Sequence, residues 1–146
     1  MQSAVALQTA ILWPLLAHIG LVVFLYAWLT FERKQAVESG ETEYSCFVLG
    51  RDEPLRVARI TRNLANQFEL PMLLYALVAI LIALGRVTWF DIAAAWVFVA
   101  GRLIHTYVQT RTDNVKLRGQ VFVINFLGVL ALAAHLAWIA FEAVRV

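Results

Sequence analysis

Apolar residues fall along the chain in four long runs, about 7–31, 64–85, 88–109 and 119–141, and the charged residues collect between them. Residues 1–31, 70–85 and 119–141 carry no Asp, Glu, Lys or Arg. A helix rises about 1.5 Å per residue, and about 20 apolar residues cross ~30 Å of hydrocarbon, so each run predicts a membrane-spanning helix. The second run extends backwards as a polar helix from Pro54, which suits a first helical position after Asp52 and Glu53. The predicted helices therefore cover about 7–31, 54–85, 88–110 and 117–143. The segment 32–53 has no sustained apolar period and reads as a long polar loop. Pro14 and Pro71 lie inside helical runs, where each removes a backbone donor and bends its helix.

Composition makes lipid the solvent. Of 146 residues 62% are apolar and 15% charged, and a soluble domain this small could not bury that much apolar surface. The first run has no basic flank before it and is too long for a signal-peptide core, so it reads as a retained membrane helix. Trp89 and Trp138 fall where helix ends meet headgroups. No repeat or second domain is visible, and the expected architecture is a single all-α integral membrane domain, a bundle of four transmembrane helices over residues 1–146.

Charge sets the orientation. Arg33, Lys34, Arg51, Arg56, Arg59 and Arg62 surround the first connection and Arg111, Lys116 and Arg118 the third, against Arg86 in the second and Arg145 at the terminus. Positive-inside bias places connections one and three in the cytoplasm and both termini outside. The net charge of +2 does not indicate nucleic acid, because the basic residues flank apolar runs and no soluble domain carries a basic groove. Cys46 is the single cysteine, which excludes an intrachain disulfide, and no His or Glu pair at i, i+4 suggests a metal site.

With that orientation, Arg59, Arg62, Asn66 and Glu69 lie on the inner part of the second helix, with Glu69 deepest. Steps of three, four and three keep them within an arc of about 80°, one polar stripe. Arg102, His105, Thr106 and Gln109 repeat that spacing on the third helix as it returns to the same side. Arg118 opens the fourth helix at that level and Arg33 closes the first. Taken singly, Arg33, Arg56 and Arg111 read as snorkelling charges. Glu69 is costly inside a membrane and needs a partner or a wet cavity, with Arg62 and Arg102 as candidate partners. His18 and His135, in apolar surroundings, read as packing or hydrogen-bonding residues.

The stretch Arg59-Ile-Thr-Arg62-Asn-Leu-Ala-Asn66-Gln-Phe-Glu69-Leu-Pro71 resembles the signature of the membrane-associated proteins in eicosanoid and glutathione metabolism (MAPEG). The block Gly101-Arg102-Leu-Ile-His105-Thr106, with Arg118 sixteen residues after Arg102, looks like that family's third helix and the start of its fourth. The resemblance implies a homotrimer, of bacterial type and placed in a bacterial inner membrane, with sites between subunits that open to the cytoplasm and bind glutathione. It implies that Arg62, Asn66 and Glu69 hold or support glutathione, joined by Arg33, Arg59, Arg102, His105 and Gln109, and that Arg118 stabilises the thiolate. Gln109 stands where many family enzymes carry a tyrosine, Gly119 where some carry a hydroxyl, and Ala58 where an acid often precedes the first arginine.

The chemistry is coherent residue by residue. Glutathione presents two carboxylates, an ammonium and a thiol, which call for guanidinium forks, an acceptor and a cation near sulfur. A cation beside a thiol favours the nucleophilic thiolate. The leading expectation is therefore a glutathione-dependent transferase or peroxidase acting on lipophilic electrophiles that partition into the bilayer. The rival is a non-catalytic membrane module of the same fold that binds an anionic ligand, lipid or protein partner. A channel or transporter would carry polar residues through the full depth of the membrane, whereas here they stop at one end.

Overall fold

The computed structural model describes residues 2–145, and among these it is helical throughout, with no strand. Six α-helices follow in order: α1 (Gln2–Ala10), α2 (Leu12–Glu38), α3 (Leu55–Ala65), α4 (Leu70–Ala83), α5 (Trp89–Arg111) and α6 (Val115–Val144). They form four rods, because α1 runs into α2 at a turn on Ile11, and α3 continues into α4 through a short 3-10 segment, Asn66–Phe68. Three of the rods are long and apolar enough to cross a membrane: Val5–Glu38, Leu55–Ala83 and Val115–Val144.

Helix α5 differs because it is the inner helix. Its buried positions include Asp91, Arg102, His105, Thr106 and Gln109, so protein rather than lipid satisfies its polar groups. Its start is fixed by the Asp91 carboxylate, which accepts hydrogen bonds from the Thr88 backbone N–H and hydroxyl, each at 2.8 Å. The other Asp91 oxygen lies 2.8 Å from His135 Nδ1 on α6, so His135 hydrogen-bonds within the chain. Helix α6 starts at Asn114, whose side chain accepts from the Leu117 N–H at 2.9 Å.

The buried face of α2 comprises Pro14, His18, Leu21, Leu25, Leu29 and Ala36, a stripe at helical spacing. Its other faces expose large apolar side chains such as Trp13, Val23 and Phe31, each more than 60% accessible, far more than a water-soluble surface carries. One apolar cluster packs Ile11, Leu74, Leu81, Phe98 and Leu132 toward one end of the bundle. A second packs Leu25, Leu29, Val57, Ile60 and Leu64 between α2 and α3.

Three boundaries depart from the sequence expectation. The first helix continues to Glu38, because Glu32, Lys34 and Glu38 find partners along it: Trp28 Nε1 donates to Glu32 at 3.1 Å, and Lys34 pairs with Glu38 at 3.5 Å. It stops where Gly40 takes a φ of 73°, left-handed backbone that only glycine adopts without strain. The remaining connection contains a 3-10 turn, Tyr44–Val48. Pro54 is extended, with ψ 138°, and sits just outside α3 rather than at its first position. Pro71 does more than bend a helix. The backbone tightens into the 3-10 segment and opens at Glu69 (φ −94°, ψ −96°), so that Pro71 falls in the first turn of a new helix, where its missing N–H costs little.

Candidate functional site

The interrupted rod brings its polar residues to one side of α5 and α6. Arg62 near the end of α3, Asn66 in the 3-10 segment and Glu69 just after it face His105 and Gln109 of α5 and Arg118 of α6. Together with Gly119 and Phe122 they line an open cleft of about 230 Å³. His105 is buried against Phe122, with ring centroids 6.5 Å apart, and Arg118 Nη1 donates to Gln109 Oε1 at 3.1 Å. Arg62 and Glu69 are exposed in the cleft, and among the described residues neither has an oppositely charged group within 4.0 Å. Gly119 leaves open space there, since a Cβ placed on it would meet nothing within 4 Å.

Six of the nine residues singled out in the sequence therefore share this cleft, and three lie outside it. Arg59 lines a smaller neighbouring recess, of about 120 Å³, and pairs with Asp113; Gln109 and Arg118 form a wall common to both spaces. The 3-10 segment breaks the continuous 100° phasing on which the single stripe depended, although it keeps Arg62, Asn66 and Glu69 together. Arg33 faces α3 and the first connection instead: it pairs with Glu53 at 2.8 Å, donates to Thr61 Oγ1 at 3.3 Å and lies over the Phe47 ring. Arg102 is completely buried, donating from Nε to Gln67 Oε1 at 3.0 Å and from Nη2 to the Asn66 carbonyl at 2.8 Å. It thus satisfies a carbonyl at the helix break, and it is not an ion-pair partner of Glu69.

Behind the cleft lies a buried polar layer that joins His18, read from sequence as a hydrogen-bonding residue, to Asn63, Gln67 and Tyr75, which the sequence reading left without roles. Gln67 Oε1 accepts from Arg102 and lies 3.1 Å from His18 Nε2, so Nε2 carries a proton, and His18 Nδ1 lies 2.7 Å from the Tyr75 hydroxyl. Gln67 Nε2 donates to the Asn63 carbonyl at 3.2 Å, and Asn63 Nδ2 to Thr106 Oγ1 at 3.2 Å. These bonds tie α2, α3, α4 and α5 together at the level of the break, which holds the cleft's wall in place. The signal available in sequence was the pair Asn63 and Gln67, four residues apart and so on one helical face, turned about 90° from the face of Arg59 and Arg62.

An all-helical chain, three of whose rods are long and apolar enough to cross a membrane, with charged side chains gathered at one end of the bundle, belongs among small polytopic membrane proteins. The family model for the MAPEG family matches residues 11–138, and the chain belongs to the MAPEG family, a group of membrane proteins tied to glutathione and eicosanoid metabolism. No curated protein and no solved structure matches the chain. Among the described residues no group of three His, Cys, Asp or Glu side chains could hold a metal ion.

Proposed function

We propose that the protein is a glutathione-dependent transferase or peroxidase acting on lipophilic electrophiles that reach it from the bilayer. The observation that carries this reading is the convergence of Arg62, Asn66, Glu69, His105, Gln109 and Arg118 on one cleft. Arg62 binds a carboxylate of glutathione through its guanidinium fork, and Glu69 accepts from the ammonium. Asn66 and His105 supply further hydrogen bonds. Arg118 stabilises the thiolate: a cation near sulfur lowers the thiol pKa from about 8.5, and a tenfold gain in thiolate requires only about 1.4 kcal/mol.

In the same proposal all four rods span the membrane, with α5 shielded by its neighbours. The connections between α2 and α3 and between α5 and α6 face the cytoplasm, both termini face outward, and a bacterial inner membrane is the host. The protein works as a homotrimer. A cleft of about 230 Å³ is smaller than the ~300–1,000 Å³ of complete small-molecule sites, and its exposed Arg62 and Glu69 suit completion by a neighbouring subunit.

Glutathione titrated into detergent-purified protein by calorimetry, with thiolate absorbance followed in parallel, tests this directly. Wild type is expected to bind and to show the thiolate band, and Arg118→Ala to bind with the band lost. Absence of binding at millimolar glutathione sinks the proposal. The non-catalytic reading is favoured by one contact, Gln109 accepting from Arg118 where the family's tyrosine would stand. Binding by wild type without any thiolate would establish that reading instead.

A further inference from the structure

On the flank of the bundle away from the charged cleft, α2 and α5 diverge to leave an open groove of about 530 Å³. Leu21, Phe24 and Trp28 form one wall and Leu103 and Tyr107 the other, and Arg111 closes one end. The steps from Leu21 to Trp28 and from Leu103 to Arg111 each cover about 10–12 Å along a helix axis. The groove is therefore an apolar trough about two turns deep that runs into the membrane from a cationic mouth. The threonine hydroxyls of its walls are engaged, since Thr110 donates to the Thr106 carbonyl at 2.7 Å and Thr106 pairs with Asn63, which leaves Tyr107 to offer a hydroxyl beside the mouth.

The mouth has the chemistry of a headgroup site. Arg111 lies over the Trp28 ring, 5.4 Å from its centroid, and among the described residues no carboxylate comes within 4.0 Å of it. The acids nearest in sequence are occupied: Asp113 pairs with Arg59, and Glu32 accepts from Trp28 Nε1 at 3.1 Å and from Arg56 Nε at 3.0 Å. Trp28 and Tyr107 are the residue types that settle at the membrane–water boundary, and the basic residue beside them sits at headgroup depth.

We propose that this groove binds an anionic phospholipid, with one acyl chain lying between α2 and α5 and the phosphate held by Arg111. The site is separate from the glutathione cleft, and it holds whether or not that cleft is catalytic. Arg111 is then a lipid ligand, where the sequence alone leaves it a generic snorkelling charge. Retention of a lipid in the angle between α2 and α5 would brace the α2 wall against which α3 packs.

The test uses the full-length protein, delipidated in detergent and supplied with phosphatidylglycerol or phosphatidylcholine, read by native mass spectrometry and by thermal unfolding. Wild type is expected to retain phosphatidylglycerol preferentially and to gain thermal stability from it. Arg111→Gln should reduce that preference about fivefold, and Arg111→Lys should restore much of it. Leu103→Trp fills the groove from a position that is half exposed, and it should reduce retention of both lipids. An unchanged preference in Arg111→Gln, or full retention in Leu103→Trp, overturns the proposal. So does stabilisation by inorganic phosphate equal to that by phosphatidylglycerol, which would leave an anion site without a lipid. Efficient disulfide cross-linking of Tyr107→Cys between copies also overturns it, because the groove would then be a subunit interface.

Discussion

Arg102 and Arg118 carry the same charge and have opposite fates, because of what each can reach. Arg102 is buried to 0% exposure and gives its N–H groups to Gln67 and to the Asn66 carbonyl; Arg118 remains partly open beside Gln109 in the cleft. Arg102→Leu should therefore leave the Asn66 carbonyl without its donor and Gln67 Oε1 with His18 alone, lowering stability by about 1–3 kcal/mol, whereas Arg118→Ala should cost about 1 kcal/mol or less. Chaotrope unfolding in detergent, paired with glutathione calorimetry, separates the two. An Arg102 variant that kept its stability but lost glutathione would move Arg102 into the site. The sequence could place both arginines at one end of the bundle, since spacing and charge counting see only position. It could not tell them apart, because the difference lies in a backbone event elsewhere: the break before Pro71 turns the Asn66 carbonyl toward α5, where a guanidinium answers it.

At the scale of elements, the α5–α6 pair shows what hydropathy misses. Gly101 and Gly128 let these helices approach closely. A Cβ on Gly101 would stand 2.3 Å from Asn125 Oδ1 and 3.1 Å from Ile124, and one on Gly128 would stand 3.0 Å from the Ala94 carbonyl oxygen and Phe98 Cβ. Small residues at such crossings are how helices pack when lipid removes the hydrophobic drive between them. Gly101→Ala is thus expected to lose about 1–3 kcal/mol by overpacking. Asn125 is completely buried, and its side-chain N and O have no partner among the described residues, so shortening it removes the nearest obstacle. Asn125→Ala should recover part of the Gly101→Ala loss, a coupling of about 0.5–3 kcal/mol in a double-mutant cycle of thermal unfolding. Additive losses would show that Ile124, rather than Asn125, sets the distance. The long helices themselves were legible from run length. Their ends were less so, because Lys34–Glu38 pairing carries the first helix past the apolar run and Gly40 stops it.

For the whole molecule, the question is what covers the surface that a single chain leaves open. Lipid accounts for the apolar belt, but it does not account for a cleft whose Arg62 and Glu69 stand exposed and unpaired among the described residues. Holding two unpaired charges at the rim of a membrane bundle is costly, and a neighbouring subunit that encloses a charged ligand with them removes that cost. Closed rotational symmetry then repeats the site once per subunit. The proposed homotrimer makes this quantitative. In native mass spectrometry from mild detergent, glutathione should be retained by the three-copy species and absent from monomer. As harsher detergent dissociates the assembly, binding measured by calorimetry should fall in step with the three-copy fraction. Monomer that binds glutathione as tightly as the assembly would mean that the cleft of one chain is a complete site, and the trimer would then have to be explained by packing in the membrane alone.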